Sequence, residues 1–251
     1  MHFKYQIVFS DNDMPPAMGG KVRLHMNFLQ DIKKPSWWSS FFIMLFSVIG
    51  MGLGVALLKI TDMGTDPCSS MNYGVAALLA RKTGNSSLWT FGNYQAMFNT
   101  VFLIFVILFG RQLIGTGTIG NMFLVGYSAD FFTWVLKDLI GVPDHLSLGV
   151  RLCILFPALL FFVTVAALYM QSGHGMAPYD GFPFIISGWL EKATGKTYWF
   201  KVIRYTLDAL ATLLGFALGG AAGITTVLMV ILLAPAVELA GKFMETHFSH
   251  S

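Results

Sequence analysis

The chain has 251 residues, 55% of them hydrophobic and 12% charged, with a formal net charge of +3 and a mean hydropathy of +0.64. A soluble domain carries about a quarter charged residues, so this composition excludes a soluble enzyme, a disulfide-stapled secreted domain and a disordered chain. It reads as a polytopic protein of the lipid bilayer. No Lys/Arg cluster interleaves with aromatic residues, which removes nucleic acid as a partner.

Residues 1–39 are polar and mixed in charge and read as a cytoplasmic extension rather than a cleaved signal. Met14, Met18 and Met26 leave the translation start open, and Trp37–Trp38 marks a membrane interface. Eight apolar segments follow, near Phe41–Ile60, Cys68–Ala80, Thr90–Phe109, Ile119–Leu136, Leu152–Met170, Tyr179–Leu190, Tyr198–Leu218 and Ile224–Lys242. The second and sixth are short for a bilayer, which needs about 20 residues. Basic residues usually collect on the cytoplasmic side. Eight crossings place 14 Lys/Arg inside, leaving only Lys59 and Arg111 outside. Six crossings with two re-entrant segments move Lys59, Arg81, Lys82, Lys137 and Arg151 outside, a split of 11 to 5. The eight-span reading with a cytoplasmic N-terminus is therefore expected.

A shift of 111 residues brings Ala56-Leu57 onto Ala167-Leu168, Gly64 onto Gly175, Pro67 onto Pro178, Thr83-Gly84 onto Thr194-Gly195 and Tyr94 onto Tyr205. After a three-residue slip, Gly115 meets Gly223, Thr118 meets Thr226 and Asp130 meets Glu238. Matches at turns and helix starts indicate duplication. With four crossings in each half, both halves enter from the same side. The expected fold is an all-α membrane protein of about eight transmembrane helices in two parallel four-helix repeats (40–140 and 148–243), with a tail at 244–251.

The ordered marks of this duplication resemble the YczE/YyaS/YitT group of bacterial membrane proteins, YczE most closely. They are Gly52-x-Gly54-x-Ala56-Leu57, Met63-Gly64-Thr65-Asp66-Pro67, and Gly115-Thr116-Gly117-Thr118-Ile119-Gly120-Asn121 leading to Gly126 and Asp130. The second half has Leu168-Tyr169, Gly175-Met176-Ala177-Pro178-Tyr179-Asp180-Gly181, Thr194-Gly195, Gly219-Gly220 and Gly223-Ile224-Thr225-Thr226. The resemblance covers about residues 40–242. It implies transporter-like architecture in a bacterial cytoplasmic membrane, without a shared substrate. Tyr179 stands where the group usually has Arg, and Thr225 where Gly is usual, which implies a different choice of ligand here.

In repeat transporters, short Gly/Pro-interrupted segments at corresponding positions form the substrate site. Pro67 and Pro178 suit the first helical turn, where the following N–H groups lack intrahelical partners and attract polar or anionic groups. Substrate-binding candidates are Asp66, Pro67, Thr118, Asn121, Pro178, Asp180 and Thr226. The alternative is that Asp66 and Asp180 simply cap external turns. Ionisable groups at bilayer depth are costly and mark pathways or pairs. Lys201, Arg204 and Asp208 share a helix face, and Asp130 and Glu238 occupy matching positions. These five are candidates for coupling or gating, against a plain structural pairing of Arg204 with Asp208.

Asn72, Tyr73, Asn93, Gln95, Asn99 and Tyr127 read as interhelical hydrogen-bonding groups, and Gly50, Gly52 and Gly54 as close-packing positions. Cys68 and Cys153 read as free thiols, and His174 as a solvated loop residue. No zinc, Walker or nucleophile-elbow motif is present, so no catalytic residue, metal or cofactor is assigned. The expected function is a small-solute permease working by alternating access, taking a small polar or anionic solute. The alternative is a non-transporting membrane partner or regulatory protein, its partner unspecified by the sequence.

Overall fold

The computed structural model describes residues 35–196 and 198–231. Among them the chain is all helical. Helix α1 covers Pro35–Ile60, α2 Pro67–Thr83 and α3 Phe91–Phe109. Helix α4 is one run built from Thr116–Gly120, a π-helical turn Asn121–Val125, Gly126–Trp134 and a second π-helical turn Val135–Leu139. Helix α5 covers Leu148–Gln171, α6 Pro178–Thr194 and α7 Trp199–Ala217. Helix α8 begins at Ile224 and is described to Ile231. The N-terminal extension, Glu238, Lys242 and the tail lie outside the described residues. Among the described residues, three helices, α1, α3 and α5, are long and apolar enough to cross a membrane.

The core forms where α1 lies between α4 and α5. Val55, Leu58, Ala129, Leu155, Ala158 and Phe162 share one buried cluster. Small residues let the backbones approach: a Cβ on Gly52 would stand 2.5 Å from Ser128 Cβ and one on Gly54 3.0 Å from Phe162. The Gly50–Gly54 stripe therefore packs helices, as its spacing suggests.

Side-chain contacts set the directions of α1 to α7. Along α1, Met44 lies beside Gly117 and Gly52 beside Ser128, so α1 and α4 run the same way. Gly50 meets Val165 and Gly54 meets Phe162, so α5 runs opposite to α1. Asp130 accepts the Gly92 N–H at 2.8 Å while Thr100 lies beside Met122, making α3 antiparallel to α4. Tyr179 packs on Phe98 and Phe102, Phe182 on Phe102 and Phe105, and Trp189 on Phe105 and Phe109. Helix α6 thus runs with α3, and therefore in the same direction as α5, which precedes it.

The first half repeats this arrangement. Asp180 meets Arg204 and Phe184 packs on Phe200, so α7 opposes α6. Ser70 lies against Gly215 and Gly74 against Leu218, so α2 runs with α7. Helix α2 therefore opposes α3, on whose Phe91 its Tyr73 stacks at 4.0 Å, and continues the direction of α1.

These directions correct the expected topology. Among the described residues, helices α2 and α6 do not reverse the chain: each continues the direction of the long helix before it. Matching helices α1/α5, α2/α6 and α3/α7 run in opposite senses, which a parallel repeat about an axis along the helices forbids. Charge counting favoured eight crossings because it scored every apolar segment as a full span. The 11-to-5 split that follows from the observed directions still favours the face on which α1 begins.

Reciprocal backbone bonds tie the two breaks in place. Thr65 donates to Ala221 O at 2.9 Å, and Thr225 to Met63 O at 2.9 Å. Across the molecule, Met176 donates to Leu113 O at 3.0 Å, and Gly117 to His174 O at 2.7 Å. The second pair follows from the first by the sequence shifts of 111 and 108 residues. At the centre of each tie is a glycine with positive φ, Gly64 at 112° and Gly175 at 94°. A Cβ on Gly64 would stand 2.5 Å from Thr226 Oγ1, and one on Gly175 2.6 Å from Thr118 Oγ1. Both conformation and space demand glycine.

His174 is not the solvated residue expected; it is 6% exposed. Its Nδ1 is 2.7 Å from Thr116 Oγ1 and its Nε2 3.2 Å from Ser40 Oγ, joining α1 to the start of α4. Burial lowers its pKa below the ordinary 6.5. The unfolded chain therefore takes up a proton first, and stability, full above pH 6.5, falls as the pH drops towards the depressed folded value. Thermal unfolding in detergent at about pH 7.5 and about pH 5 should show this loss in the native chain, and a flatter response in His174→Gln.

Candidate functional site

Both half-helices start at mid-height in the bundle. Tyr179, in the first turn of α6, lies beside Phe98 and Phe102, near the middle of α3. At the start of α2, Asp66 is within electrostatic reach of Asp180 and Asp208. Cys68 is within reach of the same two carboxylates and of Arg204. The first turns of α2 and α6 and the middle of α7 thus converge.

The local sequence explains each helix start. Asp66 is the N-cap of α2: its backbone is extended, and Oδ2 accepts the Ser69 N–H at 3.0 Å. Pro67 occupies the first helical position. Ala177 occupies the matching place before Pro178 and offers no side-chain cap, so the negative group at the α6 start is Asp180 in its first turn. A carboxylate there also complements the helix dipole.

Arg204 links the elements. Its Nη1 donates to Asp180 Oδ1 at 2.5 Å, and its Nε to Asp208 Oδ2 at 2.9 Å. The Tyr179 hydroxyl donates to Asp208 Oδ1 at 2.9 Å, and the guanidinium lies 5.6 Å from the Tyr179 ring centroid. The expected Arg204–Asp208 pair is therefore present, but Asp180 joins it. The sequence reading divided these residues between an external binding site and a cytoplasmic gate; the structure makes them one cluster. All three charged side chains are largely buried, Asp208 most of all at 7% exposed.

The remaining candidates separate from this centre. Pro67 and Pro178 are buried at the helix starts. Thr118 and Thr226 are fully buried, and their hydroxyls accept the Gly115 and Gly223 N–H groups at 3.0 and 3.2 Å. They cap α4 and α8. Asn121 is buried in the first π-helical turn of α4. Asp130 holds the start of α3 through Gly92 and lies within electrostatic reach of Lys59, away from the cluster. Lys201 is exposed and takes no part in the Arg204 ion pairs, although it precedes Arg204 by one turn.

Three contributors escaped the sequence reading. In the sequence Tyr179 stands out only as a replacement for Arg, Cys68 as a free thiol and Tyr94 as a repeat mark. Their common signal was position at the two shortest segments and the adjoining α3, a cue that becomes specific only once the helix directions are known. Of the interhelical polar groups, Tyr127 donates to Asn93 Oδ1 at 3.0 Å, and Asn72 Nδ2 lies 3.7 Å from Cys68 Sγ. Both cysteines are free thiols.

Removing one partner of a buried ion pair leaves an uncompensated charge and costs about 3–5 kcal/mol. Arg204→Met should therefore destabilise the purified protein by about that amount, and Asp180→Asn in the same background should recover part of it. Thermal unfolding of the two variants in detergent checks the order.

No solved structure matches the chain. An uncharacterized protein of Haemophilus influenzae is 26% identical over 196 residues, covering 78% of this chain and 80% of the relative. A family model described as a family of unknown function (DUF6198) matches residues 38–242. That match takes in both half-helices and every residue of the central cluster, and the chain belongs to this family.

Proposed function

We propose that the protein is a small-solute permease of the cell membrane, built from two inverted four-helix repeats that rock around a central site. In this reading α1, α3, α4, α5, α7 and α8 cross the bilayer, and α2 and α6 reach its middle from opposite faces. The N-terminus lies in the cytoplasm, consistent with the excess of basic residues on that face. The transporter-like architecture of the YczE group agrees with this view.

The observation that carries it is the meeting of two broken-helix N-termini at a buried charged cluster between the halves. Inverted-repeat transporters place substrate at the midplane, on discontinuous helices, at the repeat interface. The reciprocal ties at Gly64 and Gly175 support the repeat, because each half holds the other's break by the same pair of backbone bonds. A rigid scaffold needs neither feature. Arg204 also bridges α6 to α7 while bonding Asp208 on its own helix. This three-group cluster ties α6 to α7 within the second half and faces the start of α2 in the first.

Two labelling experiments check this. In a Cys68→Ser, Cys153→Ala background, cysteines at Lys82 and Lys192 should react with an impermeant maleimide from opposite faces of sealed vesicles; reaction from one shared face restores eight crossings. In Cys153→Ala alone, native Cys68 should react from either face, in separate fractions of the molecules. Reaction from one face only, or from neither, removes alternating access.

A further inference from the structure

The central cluster is short of donors and over-supplied with negative charge. Asp66 lies within electrostatic reach of Asp180 and Asp208, and Arg204 is ion-paired with the latter two. Both donor sites of Arg204 that reach the cluster are used, Nη1 by Asp180 and Nε by Asp208. An incoming anion would find that guanidinium flanked by its own carboxylates. The positive end of α2 is likewise occupied by the capping oxygen of Asp66.

Asp66 supplies the second, independent observation. It is 9% exposed; one oxygen caps α2, and the other, Oδ1, is buried without a hydrogen-bond partner among the described residues. An unpaired buried carboxylate oxygen is expensive, and the group that satisfies it must donate. Asn72, fully buried one turn beyond Cys68, adds an amide oxygen that also has no partner. The facing wall on α3 is aromatic. Tyr94 stacks on Phe98 with centroids 6.2 Å apart, Phe98 and Phe102 pack on Tyr179, and Tyr73 on α2 stacks on Phe91 at the start of the same α3. Aromatic faces attract ammonium groups. Among the described residues no three His, Cys, Asp or Glu side chains converge at metal-binding separation, so the geometry suits a larger organic cation better than a divalent metal ion.

We propose that the central site binds a small organic cation through an N–H donating ammonium group, with Asp66 as its carboxylate partner and Tyr94, Phe98 and Tyr179 as its aromatic wall. The ligand class replaces the anionic solute expected from helix-end physics alone. Its role as a transported substrate rests on the permease reading above; its binding does not.

The test is thermal unfolding of the full chain in detergent with methylammonium chloride, against sodium chloride, sodium acetate and sodium phosphate at equal ionic strength. Methylammonium should raise the midpoint by about 2–4 °C when well above its Kd. Asp66→Asn keeps a capping oxygen at this position and should weaken binding at least about tenfold, about the 1.4 kcal/mol that one such factor represents. Asp144→Asn, on an exposed loop, should leave binding unchanged. An equal shift with sodium, a shift with acetate or phosphate instead, no shift with any salt, or an undiminished shift in Asp66→Asn each overturns the proposal. Binding that depends on Asp66, in a protein whose Cys68 is closed to one or both faces, leaves the cation site standing and removes the permease.

Discussion

The arrangement depends on two chain breaks, each held at a helix start of the opposite half of the molecule. At each break the backbone leaves one helix, passes through a glycine with positive φ and starts a short helix in the same direction. Such a path exposes peptide groups that a helix would otherwise satisfy, and in an apolar surrounding each unsatisfied group is costly. The cost is offset by borrowing partners. Met63 and Thr65 bond to Thr225 and Ala221, and His174 and Met176 bond to Gly117 and Leu113. Neither half can keep its break without the other, so the interface between the halves is a condition of the fold.

That interdependence accounts for where polar groups collect. The breaks bring two helix starts to the centre, and helix starts need caps. Asp66 supplies one cap directly, and Asp180 sits in the first turn of the other helix. Carboxylates placed there need a counter-charge, which Arg204 provides from the adjoining α7. The duplication is asymmetric in its chemistry. With the 111-residue shift, Asp180, Arg204 and Asp208 fall on Ser69, Asn93 and Met97, whereas Asp66 falls on Ala177. A nearly symmetric backbone therefore carries a one-sided charge set.

The small residues divide into two physical roles. Gly52 and Gly54 let α1 approach α4 and α5 closely, and gain packing in return. Gly64 and Gly175 supply a backbone conformation and the room for a tie. His174 beside Gly175 adds side-chain bonds to Ser40 and Thr116. The first break has no such histidine: Met63 occupies the matching position. The two breaks thus differ in polarity.

Composition, the lengths of apolar runs and the repeat marks determined that this is a helical, membrane-type chain with two short segments at corresponding places. These are local properties, set by burial preference and backbone chemistry, and they survive in the sequence. The Asp66-Pro67 helix start and the Arg204–Asp208 pair were legible for the same reason, since capping and i,i+4 spacing are short-range. Helix direction was not legible. A short apolar helix has the same composition whether it reverses the chain or continues it, and only contacts such as Tyr179 on Phe98 and Phe102 distinguish the two. Tertiary structure alone therefore decided that the halves are opposed, that Asp180 joins Arg204, and that Thr118 and Thr226 serve their own helix starts. Each depends on residues far apart in the chain whose proximity follows from direction.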